Sequence, residues 1–142
     1  MKEPRISIIT LGVNDLKKSI AFFEDGLGWK KSAASQENIA FFQLNGLVLA
    51  LYPRDLLADD ATVSHEGNGF SGFTLAYNTK SEADVDHVLK HVETIGARIV
   101  KPGQKVFWGG YSGYFTDLDG FLWEVAYNPF FPFDEDNNLK LP

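Results

Sequence analysis

The feature that most constrains this chain is that its pattern occurs twice. Ile8-Ile9-Thr10-Leu11-Gly12-Val13-Asn14 aligns with Gly72-Phe73-Thr74-Leu75-Ala76-Tyr77-Asn78, and threonine, leucine and asparagine coincide without a gap. Each stretch predicts a buried strand that ends on a turn residue. A helix follows in both copies. The first is expected from about Asp15 to Asp25, with Leu16, Ile20 and Phe23 on its apolar stripe and Phe22 and Leu27 near the edge. Asn14 or Asp15 can cap it, and Gly26 and Gly28 stop it. The second is expected from about Glu82 to Ile95, with Val85, Val88, Leu89, Val92 and Ile95 on one face. Ser81 is its N-cap candidate, and Gly96 ends it.

Three strands are expected after each helix, near 29–34, 39–44 and 47–52 in the first copy and near 98–101, 111–116 and 121–127 in the second. The last hairpins turn at Asn45-Gly46 and Asp119-Gly120, both strong two-residue turn signals. Beyond those turns, Leu47 to Tyr52 lies in register with Phe121 to Ala126. The order is therefore βαβββ written twice, an α+β fold of two tandem modules. Module one covers about residues 5–53, a connector 54–69, module two about 70–129 and a tail 130–142, all within one expected domain. One helix covers one face of each sheet. The other faces, set side by side, would form a cup, and a cup where repeats meet suits a small molecule.

Composition narrows the chemistry. Over 142 residues the hydrophobic share is 44%, enough for a packed core. No cysteine is present, which excludes disulfides, thiolate metal sites and cysteine nucleophiles and fits a cytoplasmic location. Met1 to Val13 is too short and broken for a secretory signal, and no apolar run approaches the roughly 20 residues that span a bilayer. A formal charge of -6 argues against nucleic acid as a partner. It leaves a cationic small ligand possible, although mild acidity can also serve solubility alone.

Three segments carry a resemblance: Gly12 to Phe23 leading into Leu27-Gly28-Trp29, Gly96 to Pro102, and Tyr114-Phe115-Thr116-Asp117-Leu118-Asp119-Gly120-Phe121-Leu122-Trp123-Glu124-Val125. In this order, within a doubled βαβββ, the chain resembles the glyoxalase, bleomycin-resistance and extradiol-dioxygenase superfamily, the vicinal oxygen chelate proteins. The resemblance implies a glyoxalase-like fold of paired modules, assembled as a homodimer. It includes metal-dependent isomerases, lyases and dioxygenases, and metal-free proteins that sequester drugs.

Such metalloenzymes place ligands on the first and last strands of each module. The corresponding positions are Ile8, Ala50, Gly72 and Glu124, of which only Glu124 has a donor side chain. Catalytic zinc or iron normally takes about three protein ligands, so no divalent metal or other cofactor is expected. His87 and His91, four apart, fall off the apolar stripe of the second helix and are expected in solvent. His65 belongs to the connector and is either a lid residue or an ordinary loop histidine.

Alternation places Leu122, Glu124 and Ala126 on the cup face, and Trp123, Val125 and Tyr127 under a helix. By the same pattern Val48, Ala50 and Tyr52 face the cup. Glu124 could act as a general acid or base, or hold a ligand's ammonium or hydroxyl; alternatively, tyrosine or serine hydroxyls satisfy it. Val106-Phe107-Trp108-Gly109-Gly110-Tyr111 reads as a rim loop whose Trp108 either stacks on a flat ligand or plugs the sheet edge. Tyr111, Ser112 and Tyr114 supply hydroxyls, and Tyr52 an aromatic wall. The apolar stretch 128–133 must cover its own domain or a second subunit, and 134–142 is expected to fray. The expected function is metal-independent binding of a small organic molecule. Alternatives are an isomerase or lyase with Glu124 as acid–base, and a structural or regulatory module whose cup its own side chains fill.

Overall fold

The structure is a computed structural model that describes residues 4–71 and 73–141. The chain divides into two compact units, the first ending at Asn68 and the second starting at Gly69. Each carries a mixed sheet, and the fold class is α+β.

In the first unit, β1 (Ile8–Val13) pairs in parallel with β3 (Val48–Pro53), which pairs antiparallel with β2 (Ala40–Gln43). Helix α1 (Leu16–Ala21) starts at Asp15, whose carboxylate accepts from the Lys18 N–H at 3.1 Å. It then widens into a π turn over Phe22–Gly26, closed by the Leu27 N–H on the Phe22 carbonyl at 3.0 Å. The extra residue in that turn brings two consecutive side chains inward. Phe22, expected near the helix edge, is buried beside Phe23, with ring centroids 5.2 Å apart, edge to face. Phe23 also meets Trp29 and Phe42.

Two expectations for this unit are corrected. Residues 29–34 do not form a strand; they touch the sheet through a single bridge, Lys31 with Phe42. Ser32 and Ser35 explain this. Their hydroxyls accept from the N–H groups of Ala34 and Phe41, so local turns replace a ladder. The connector is also more ordered than its composition suggests. It contains helix α2 (Arg54–Ala61), ended by Thr62 in the left-handed region, and Arg54 Nε donates to the His65 carbonyl at 2.8 Å.

The second unit is a complete βαβββ. Its strands β4 (Leu75–Thr79), β5 (Arg98–Lys105), β6 (Tyr111–Thr116) and β7 (Leu122–Tyr127) lie in the order β4-β7-β6-β5. Helix α3 (Glu82–Thr94) is capped by Ser81, whose hydroxyl accepts from the Asp84 N–H at 3.1 Å. Val85, Leu89 and Val92 are buried along one stripe of α3, which packs on β6 and β7, where Phe115, Trp123 and Val125 are buried too. The last two rings stack with centroids 6.0 Å apart. Gly113 permits this approach. A Cβ there would lie 2.6 Å from Leu89 Cδ1 and 2.7 Å from the Lys101 carbonyl oxygen.

Residues 134–141 are folded too, against the expectation that 134–142 frays; Pro142 lies outside the described residues. Asp134 accepts from the N–H groups of Asp136 and Asn138, Phe133 bridges to Leu139, and Lys80 Nζ donates to Asn137 Oδ1 at 2.6 Å while lying over the Phe133 ring. These backbone hydrogen bonds, led by that of Asn138, hold the Asp134 carboxyl below the usual range. Among the described residues no helix is long and apolar enough to cross a membrane.

Candidate functional site

Two antiparallel strands of the second unit build the candidate site. In β6 and β7, Tyr114 lies directly opposite Glu124, and Ser112 directly opposite Ala126. Side chains alternate, so these four share one face, while Trp123, Val125 and Phe115 turn to α3 on the other. Both Tyr114 and Glu124 are half-buried, and the phenol donates to Glu124 Oε2 at 3.0 Å. Burial first, then the bond to Glu124 and its charge, push the Tyr114 phenol above its usual value of 10.0. The phenol therefore keeps its proton at neutral pH and remains the donor. The pair presents a fixed O–H and a carboxylate whose second oxygen points a lone pair elsewhere.

Trp108 packs at the start of β6. Gly110 precedes β6, two residues before Ser112, and a Cβ on it would run into the six-membered ring of Trp108 and the Tyr127 carbonyl oxygen. The indole thus occupies the place of the missing side chain, beside the first residue of β6. A tight turn holds it there: the Val106 N–H donates to the Gly110 carbonyl and the Gly109 N–H to the Val106 carbonyl, both at 3.1 Å. Phe107 is the aromatic that this turn leaves wholly exposed, a residue the sequence pattern did not single out.

Other expected site residues fall elsewhere. Tyr111 is corrected: its hydroxyl donates to Asp86 Oδ1 of α3 at 2.8 Å, on the sheet face opposite Glu124, because one residue separates it from Ser112 in the alternation. Tyr52 lies in the first unit, half-buried on β3 opposite Gly12, and shares no element with Glu124. His65, His87 and His91 are all exposed.

The sequence positions of a family metal do not assemble a ligand set. Ile8 is exposed and Ala50 fully buried between Thr10 and Phe41, and neither carries a donor; Gly72 lies outside the described residues. Among the described residues no three His, Cys, Asp or Glu side chains come close enough to hold an ion, and no buried side-chain polar atom lacks a partner. The donors present do not fit the family's metal centre.

Asp117 is the buried acid that sequence reasoning missed. It holds the β6–β7 turn, and a Thr-Asp-x-Asp-Gly stretch before a tryptophan strand was the available signal.

Residues 5–125 match the sequence pattern of the Glyoxalase/Bleomycin resistance protein/Dioxygenase superfamily. The chain belongs to that superfamily. Among its superfamily relatives is the metallothiol transferase FosB of Lysinibacillus sphaericus, 32% identical over 120 residues, which cover 84% of this chain and 79% of the relative. Protein YraH of Bacillus subtilis is 30% identical over 122 residues, covering 82% and 93%. In the crystal structure of a glyoxalase-related enzyme from Fulvimarina pelagi, 31% identical, the fold superposes with a TM-score of 0.88 over 96% of this chain and 97% of that one.

Proposed function

We propose that this superfamily member binds a small organic molecule on the sheet face that carries Tyr114 and Glu124, without the divalent metal of its metalloenzyme relatives. The observation that carries this is the 3.0 Å phenol–carboxylate bond. Where a metalloenzyme would commit its last-strand carboxylate to an ion, here a tyrosine phenol engages it. Tyr114 and Glu124 are both half-buried, so the pair combines an aromatic ring and a charge that a ligand can still reach, as ligand surfaces do. Calorimetry on chelator-treated protein against a varied compound panel is the test. Binding that survives metal removal and weakens in Glu124→Gln supports the reading; binding that appears only on adding zinc or manganese overturns it.

Catalysis on the same face is the second reading, favoured by a relative that bears a transferase name. Glu124 would take a substrate proton, and the Tyr114 O–H, released as that carboxylate becomes protonated, would turn to stabilise a developing oxyanion in place of a Lewis acid. Glu124→Gln should then abolish isomerase or lyase turnover, and unchanged turnover would eliminate this mechanism.

A homodimer completes the proposal. Strands β1 and β4 each form an edge of their own sheet. Ile6 and Ile8 are exposed beside β1, and Phe70, Phe73 and Tyr77 beside β4, so each edge by itself offers apolar side chains for a second copy to cover.

A further inference from the structure

Helix α3 carries His87 and His91, four residues apart, and both are exposed. Residues at this spacing lie one above the other on a helix, with Cβ atoms about 5–6 Å apart. The backbone under them is held in place. Val85, Leu89 and Val92 are buried on the other side of the helix, and Ser81 caps its start. In the last turn the Thr94 hydroxyl donates to the His91 carbonyl at 2.6 Å. The helix therefore continues through both histidines, and their spacing needs no rearrangement of the fold. Because α3 packs on the sheet face opposite Glu124, helix and sheet together separate this exposed surface from that carboxylate.

We infer that His87 and His91 form a two-imidazole site for a late first-row divalent cation, copper(II) ahead of nickel(II) and zinc(II). Imidazole nitrogen suits these ions, and bonds of about 2.0–2.1 Å draw both rings onto one cation. Magnesium and calcium take oxygen ligands and find none here. Among the described residues no third His, Cys, Asp or Glu completes the set, so water fills the remaining positions. Two protein ligands are too few for a structural zinc centre. They impose little geometry of their own, and the intrinsic order of affinities, with copper(II) first, then applies. The local charges bear on the same point. His91 lies in the last turn, where the helix dipole favours a cation, and Asp84 stands three residues before His87 on the same side. Lys90, three residues after His87, opposes a cation and holds the affinity down. This site is separate from the face proposed for the organic ligand and does not rest on that proposal.

Calorimetric titration of chelator-stripped, tag-free, full-length protein with copper(II), nickel(II), zinc(II) and magnesium chlorides tests this. One copper ion should bind per chain, nickel and zinc more weakly, and magnesium not at all. His87→Gln and His91→Gln should each weaken copper about tenfold or more, because losing a ligand costs at least as much as losing a partner behind one. His65→Gln should leave copper binding unchanged. Copper should also raise the urea midpoint of the wild type, since it binds the folded helix better than the unfolded chain, and should not raise that of either variant at 87 or 91. Circular dichroism on each variant separates lost binding from lost fold. Absence of copper binding, binding that survives both substitutions, or binding that only one of them weakens overturns the inference. Binding that Glu124→Gln abolishes overturns it as well, and with it the metal-free reading of the Glu124 face. Failure of the organic panel alone overturns that reading and leaves the site on α3 standing.

Discussion

Asp117 accepts three hydrogen bonds at the β6–β7 turn, from the backbone N–H groups of Asp119 and Phe121 and from the indole N–H of Trp123, each at 3.0 Å. Burial nevertheless outweighs these bonds and pushes its carboxyl above the usual value of 3.8. A raised folded-state value fixes the sign of the linkage. The contribution of this group is fully present below pH 3.8 and is lost as pH rises through the raised folded value. Asp117→Ala takes the acceptor from all three donors and should destabilise the protein by about 3 kcal/mol. Urea unfolding at several pH values checks this. The gap between wild type and variant should be widest in acid and narrow as pH rises. Tyr114→Phe is the complementary change at the site. It removes a single O–H and should weaken ligand binding about fivefold while leaving the urea midpoint almost unmoved.

At the scale of elements, the two parallel strand pairs differ by two residues. Thr10 pairs with Ala50, and an identical second pairing would set Thr74 beside Glu124; Ala76 stands there instead. A two-residue shift keeps every side chain on its own face, so the alternation read from sequence survives it. A one-residue shift would have turned Glu124 towards α3. Gly113 fixes another element-scale distance, the approach of α3 to the sheet. Gly113→Ala should cost about 2 kcal/mol by overpacking against Leu89 and the Lys101 carbonyl, measured by urea unfolding. Ser81→Ala, which removes the α3 cap, should cost about 1 kcal/mol in the same assay. The π turn at Phe22–Gly26 is the element whose effect no 3.6-residue pattern conveys, because it changes the period midway through the helix.

For the whole molecule, the two units repeat a plan with unequal fidelity. The second keeps all four strands; in the first, one strand has dwindled to the Lys31–Phe42 bridge, and α2 fills the connector. Both sheets end on an apolar parallel strand. Light scattering after gel filtration should give twice the mass of a single chain. Ile8→Lys, which places a charge on the β1 edge at a residue 49% exposed, should shift that mass towards the monomer without lowering far-UV ellipticity. A variant that keeps the dimer mass would place the contact elsewhere, and a wild-type mass of one chain would show that no dimer exists.

The sequence by itself determined the βαβββ order of the second unit and, apart from the strand expected at 29–34, the order of the first, together with α1 and α3 and their N-caps, the hairpin turns and the face that Glu124 takes. All of these depend on local spacing: period two in strands, near four in helices, and turn residues of restricted φ and ψ. It also determined that the family's metal positions carry almost no donors, since that is a matter of side-chain identity. Only the tertiary structure decided that the Tyr114 hydroxyl meets Glu124, because it set the β6–β7 register that puts the two opposite each other. Tyr111 and Tyr114 are equivalent as residue types three positions apart, and alternation along β6 sends one to α3 and the other to the carboxylate. Tertiary structure also seated Trp108 on Gly110 and buried Asp117 under three donors. Contacts of this kind join side chains to strands and turns through space, and no local period encodes them.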